Sequence, residues 1–157
     1  MIEQIYTYFT IEMIFMWLNL GVLPFWLVLI IFPQSQICRV FIASIFPIFI
    51  LSLAYGYLLY LFFNEGYDFI RNFELYLGLD AVSNLFTDKN FIILFWLHFL
   101  AINLFCGGWI VKDSQKFGVN RILLSFPILI TYFIGPIGLT LYWIIRIFYA
   151  KRINLYD

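Results

Sequence analysis

Phe91-Ile-Ile-Leu-Phe-Trp96-Leu-His98-Phe-Leu-Ala-Ile-Asn103-Leu-Phe-Cys106-Gly-Gly-Trp109-Ile-Val111 is an apolar run of helix length, closed by the charged pair Lys112-Asp113. A membrane-spanning helix needs about 20 mostly apolar residues. This run carries a histidine and an asparagine inside it. Such side chains are costly in lipid, so they face a protein interior or a cavity and often mark function. His98 is the only histidine of the chain, and histidine is the side chain whose ordinary pKa lies nearest neutrality.

Three further runs read the same way. They extend from about Ile11 to Phe32, ending at Pro33, from about Val40 to Phe63, and from about Ile122 to Phe148. Composition agrees. Of 157 residues, 64% are hydrophobic, 23% aromatic and 11% charged, with a mean hydropathy of +0.96. A soluble domain of this size does not keep so few charges. Backbone groups in lipid must bond within their own segment, which makes the runs helices. The expected fold is therefore all-α, an integral membrane four-helix bundle in one domain. Tyr6, Tyr8, Tyr60, Tyr67, Trp109, Trp143 and Tyr149 fall near the span ends, as an aromatic belt does.

The longest connection, residues 64–90, begins with Phe69-Ile-Arg-Asn-Phe73-Glu-Leu-Tyr76-Leu77, where apolar residues recur at helical spacing. That pattern predicts a short amphipathic helix on the membrane surface between spans two and three, with an ordinary solvated loop as the alternative. Gly78 is expected to end it, Asp80 to cap a second short turn, and Asp88 to cap the third span. Four spans put both termini on one side. Arg71, Lys89, Arg146, Lys151 and Arg152 then share the side of the termini, while Arg39, Lys112, Lys116 and Arg121 lie opposite. The positive-inside rule does not separate these sets.

Formal net charge is zero and no basic stripe is present, so nucleic acid is not an expected partner. Cys38 and Cys106 lack metal or redox spacing, and a lone histidine makes no metal site, so neither metal nor cofactor is expected. The N-terminus has no signal-peptide or transit-peptide character, so the chain is expected to be uncleaved. Abundant Ile, Phe and Asn favour a bacterial inner membrane.

The polar residues within the spans are the site candidates. His98 shares a helical stripe with Phe105, Trp109 and Lys112, whereas Asn103 shares another with Trp96, Leu100 and Gly107. For His98, proton transfer or hydrogen bonding to a ligand stands beside a packing contact with another helix. For Asn103, an interhelical hydrogen bond is the favoured reading. Glu12 and Asn19 are seven residues apart, on one face of the first span that continues to Trp26. Pro24 is expected to kink that span. In the fourth span, Thr131, Gly135, Gly138 and Tyr142 form one stripe, and Pro136 is expected to kink it and free the Tyr132 carbonyl. That segment reads either as close packing around the kink or as a cavity wall for a flat, rigid ligand.

These residues carry a resemblance. Leu85-Phe86…Trp96-Leu-His98-Phe-Leu-Ala101-Ile-Asn103-Leu-Phe105-Cys-Gly107-Gly-Trp109-Ile…Asp113 is similar to the third span of the abscisic-acid-deficient-4-like family of small membrane proteins. Pro127…Thr131-Tyr-Phe133-Ile-Gly135-Pro136-Ile-Gly138-Leu…Tyr142 resembles its fourth span, and Asn19…Leu23-Pro24-Phe-Trp26…Pro33 its first. The chain departs from the family pattern at Asn103, where the family has an aspartate.

The resemblance implies a carotenoid or another isoprenoid as ligand. Plant members are tied to forming neoxanthin from violaxanthin, which opens an epoxide and creates an allene without net redox change. That chemistry asks for an acid at the epoxide oxygen and a base at a polyene carbon. On this reading His98 transfers the proton, and Asp113 and Glu12, with Asp80, are acids near the substrate's end group. Trp96, Asn103, Trp109, Asn19, Thr131, Gly135, Pro136, Gly138 and Tyr142 bind the substrate. The alternative is a non-catalytic membrane subunit that holds pigment or lipid, as a homo-oligomer or beside a membrane enzyme. A pore finds little support, because the spans carry no charge ladder and no repeat.

Overall fold

Each apolar run becomes helix in the computed structural model, which describes residues 9–151, 153 and 154. The helices are α1 (Ile11–Ile31), α2 (Phe46–Asn64), α3 (Leu79–Leu85), α4 (Lys89–Lys116), α5 (Arg121–Phe133) and α6 (Gly135–Ala150). A π-helical turn covers Cys38–Ile42 and a 3-10 helix covers Phe69–Tyr76. Among the described residues there is no strand, so the fold is all-α. Tyr6 and Tyr8 of the expected aromatic belt lie outside the described residues.

Among the described residues, α1, α2 and α4 are long and apolar enough to cross a membrane. They carry the first three expected spans. The second starts later than expected, at Phe46 instead of Val40. There the Ser44 hydroxyl accepts the Phe46 N–H at 3.1 Å and Pro47 sits in the first turn, both marks of a helix start.

The fourth run departs further from expectation. In place of one kinked helix over 122–148, it forms α5 and α6, of 13 and 16 residues, which meet at Ile134. Ile134 leaves the helical region (φ −140°, ψ 82°), and its carbonyl accepts from Ile137 and Gly138 at 3.1 Å each. Pro136 lacks an N–H and so suits the first turn of a new helix better than the middle of an old one. Gly138 lies so close to Thr131 that a methyl group on it would overlap the Thr131 backbone. The two helices therefore double back on each other.

The chain divides into two compact units. The first takes the chain up to Gly21 with Ile50–Leu100, and the second takes Val22–Phe49 with Ala101 onward.

In the first unit, the early part of α1 runs alongside the early part of α4. Glu12 pairs with Lys89 at 3.0 Å, and the Trp96 indole N–H donates to Asn19 Oδ1 at 3.1 Å. The connection behaves largely as expected. The Asp68 carboxylate accepts from Ile70 N–H and starts the surface helix, in which no residue is buried. Ile70, Phe73, Tyr76 and Leu77 are all more than two-thirds exposed, at 78%, 69%, 84% and 77%, the apolar edge of an interfacial helix. It is a 3-10 helix of eight residues, longer than such runs usually are. Gly78 (φ 139°) ends it and also caps α3, so Asp80 sits in the first turn of α3 instead of capping it. Asp88 accepts from Asn90 N–H at 2.9 Å and starts α4.

In the second unit, the late parts of α1 and α4 run in one direction. Trp26 lies against Gly107, and Gln115 Nε2 donates to the Pro33 carbonyl at 2.9 Å. Helix α5 runs against α1, with Ser125 Oγ donating to the Ile30 carbonyl at 2.7 Å and Tyr132 edge-on to Trp26 at 5.3 Å. Cys38 is fully buried here, and burial pushes its thiol up to about 11 from an ordinary 9.0. Its neutral form is favoured by folding, so stability is lost as pH rises through the window from the ordinary value to the raised one. Native protein at neutral pH is expected to leave Cys38 unmodified by iodoacetamide, and unfolded protein to react. Peptide mass spectrometry after each treatment checks this.

Candidate functional site

The site candidates of the second unit gather along the seam of α4 and α6. Asn103 stands beside Gly135, Trp109 packs edge-on to Tyr142 with ring centres 5.8 Å apart, and Asp113 meets Arg146. Gly135, Gly138, Tyr142 and Arg146 are the buried residues of α6, at the spacing of one helical face.

Asp113 anchors the seam. Its Oδ2 accepts from Tyr142 Oη at 2.6 Å and from Arg146 Nε at 2.7 Å. The side chains of Arg146 and Asp113 are 2% and 5% exposed. A buried charge persists only when paired and hydrogen-bonded. Arg146 is bonded further, donating from Nη1 to the Asn154 carbonyl at 2.8 Å and lying 4.9 Å from the centre of the Phe117 ring. Such cation–ring contacts add attraction in a dry setting.

Asn103 is 4% exposed, and its Nδ2 has no hydrogen-bond partner among the described residues. It fills the space over Gly135, where a methyl group would overlap its carboxamide. Thr131 uses its hydroxyl on the Pro127 carbonyl at 2.7 Å, and Pro136 is exposed beside the break.

An apolar groove of about 390 Å³ lies on the adjacent face of α4. Ile42, Ile48, Leu104, Gly108, Trp109 and Lys112 line it. Trp109 is common to groove and seam, one side toward the cavity and the other against Tyr142.

The first unit holds the remaining candidates. His98 is exposed and makes no hydrogen bond with any described residue. Trp96 is half-buried, donates to Asn19 and stacks with Phe99 at 5.2 Å. Asn19 also donates to the Phe15 carbonyl at 2.7 Å. Glu12 is exposed, and its pairing with Lys89 is of the solvated kind that contributes little.

The stripes read from the sequence hold in part: Trp109 leaves the exposed set to pack on Tyr142, Trp96 is half-buried, and His98 faces outward instead of into an interior or cavity. Leu100, Asn103 and Gly107 are buried, while His98, Phe105 and Lys112 are exposed. Arg146 is the residue the sequence reading missed as a site member. Its signal was available, since it extends the Gly135–Gly138–Tyr142 stripe by one more turn, and an arginine within an apolar run demands a partner.

These features define a helical membrane protein with three long apolar helices and a broken, doubled-back fourth segment tied to α4 by a buried ion pair. The chain belongs to the ABA4-like family (ABA DEFICIENT 4-like), whose profile matches residues 13–142. It is similar to Protein ABA DEFICIENT 4, chloroplastic, of Arabidopsis thaliana, at 23% identity over 129 residues. That match covers 80% of this chain and 57% of the Arabidopsis protein, so the chain spans little more than half the length of that relative. No solved structure matches.

Proposed function

We propose that the chain binds a carotenoid or another isoprenoid within the membrane and acts on it as an isomerase, with no net redox change. The observation that carries this reading is the position of Trp109. It lines the apolar groove and also packs on Tyr142, whose hydroxyl donates to buried Asp113. A long apolar ligand suits a cleft of this lining, and epoxide opening needs a proton donor beside it. On this reading Tyr142 and Asp113 serve the ligand's oxygenated end group at Trp109. Family membership and the name of the Arabidopsis relative, which refers to abscisic acid deficiency, support an isoprenoid ligand. We place the activity in a bacterial inner membrane.

The test is pigment chromatography of a carotenoid-making host with and without the gene. A new or depleted pigment is expected, and Tyr142→Phe is expected to reduce its formation on the order of 10²-fold with the protein still folded. Identical pigment profiles with and without the gene overturn the reading.

The second reading, a non-catalytic pigment- or lipid-holding subunit, is favoured by Asn103 in place of an acid and by His98 having no partner among the described residues. It expects pigment to co-purify with the chain while His98→Gln and Tyr142→Phe leave the pigment profile unchanged.

A further inference from the structure

The second unit contains a cue to how the chain sits in its membrane. Three pairs mark the course of α6 along α4: Asn103 with Gly135, Trp109 with Tyr142, and Asp113 with Arg146. Residue numbers rise together, so the two helices run in the same direction. Helix α5 runs the opposite way, against α1. The segment therefore goes in along α5, turns at Ile134-Gly135, and returns along α6 to the end of α4 that carries Lys116.

Neither arm is long enough to cross. At 13 and 16 residues they measure roughly 20 and 24 Å, against a hydrocarbon core of about 30 Å. The tip is apolar and open, with Phe133, Ile134 and Ile137 exposed at 63%, 50% and 52%. The broken backbone behind it is shielded, because Gly135 and Gly138 are buried. Interrupted backbone at membrane depth is tolerated only with that protection.

The return redistributes charge. Every lysine and arginine of the chain except Arg71 and Lys89 belongs to the second unit, whose acids are Asp113 and Asp157. Asp113 is taken by Arg146. Arg71 and Lys89 are each paired, with Asp88 at 3.6 Å and Glu12 at 3.0 Å. Pro33 meets Gln115 and Ile42 lies beside Gly108, so the turn with Arg39 sits at the same end as Lys112 and Lys116. Arg121 begins α5 there, and Lys151 follows the end of α6 there.

We propose that α5 and α6 form a re-entrant hairpin, and that the end of the second unit to which it returns is a cationic surface seated on the anionic lipid headgroups of the cytoplasmic leaflet. Juxtamembrane Lys and Arg in short loops set orientation in this sense, and anionic headgroups hold them. With four full crossings, the turn 117–120 and the residues after Lys151 would lie on opposite sides. With the hairpin they share one.

The test uses the full chain in bacterial inner membrane, with Asn120→Cys and Ile153→Cys as separate variants. Each is treated with a membrane-impermeant maleimide before and after lysis. Both are expected to label only after lysis. Green fluorescent protein joined after Asp157 is expected to fluoresce, and alkaline phosphatase joined there to be inactive. Labelling of the two cysteines from opposite sides overturns the hairpin. Labelling of both before lysis overturns the seating on the cytoplasmic leaflet. Combined Arg39→Gln, Arg121→Gln and Lys151→Gln is expected to raise the fraction labelled before lysis at least several-fold, and no rise overturns the part given to the cationic surface.

Discussion

Arg146→Met lowers the stability of the folded protein by about 3–5 kcal/mol, among the largest effects expected of any single side chain here. The cause is what remains. Asp113, 4% exposed, keeps the Tyr142 hydroxyl but loses its counter-charge. An uncompensated buried carboxylate is far costlier than the intact pair, and also costlier than no charge at all. Asp113→Leu combined with Arg146→Met is therefore expected to recover most of the loss, because well-packed apolar pairs often replace buried ion pairs without penalty. Thermal unfolding of detergent-solubilised single and double variants measures both. A double variant no more stable than Arg146→Met would show that the ion pair is not the source of the cost.

The second large effect sits at the hairpin turn. Gly138→Ala and Gly135→Ala add the same methyl group to one helix, but they meet different obstacles. At Gly138 the methyl meets the Thr131 main chain as well as its hydroxyl, and no side-chain change removes a backbone atom. At Gly135 the nearest atoms it meets are those of the Asn103 carboxamide, a side chain that a second mutation deletes. Gly138→Ala is expected to cost at least the 1–3 kcal/mol typical of overpacking, and Gly135→Ala a similar amount. Asn103→Ala should rescue Gly135→Ala and leave Gly138→Ala unrescued. Unfolding midpoints of the five variants decide it, and equal rescue of both glycine variants would contradict the geometry.

The contrast between what the sequence shows and what it hides follows from the range of the forces. Periodicity is local, so the residues alone reveal the three long spans of α1, α2 and α4 and the separation of His98 from Asn103 around α4. Capping is local too, which is why Gly78 and Asp88 punctuate the long connection as read, while Asp80 misses its part and Asp68, passed over as a cap, starts the surface helix. The doubling back of α5 and α6 is not local. Apolar residues on either side of Ile134 read as one continuous run, and Pro136 alone is equally consistent with a kinked span. The turn depends on Gly138 meeting Thr131 and on α6 finding α4, facts of packing that a hydropathy profile does not contain. The candidate site divides in the same way. Tyr142, Asp113 and Trp109 are legible as polar or aromatic residues in and beside the spans. That they converge with Arg146, and that His98 and Glu12 stand in the other unit, depends on which helices pair.

The left-handed turn at Lys151 (φ 53°) carries a practical consequence for anyone handling this chain. It brings the Asn154 carbonyl back onto the Arg146 guanidinium. Asn154, itself exposed, is thus tied to the core through its carbonyl, and trimming the chain back past it would uncap the charge pair from behind. Purification handles at that end belong beyond Asp157 on a flexible spacer, so that the bond from Arg146 to Asn154 survives the engineering.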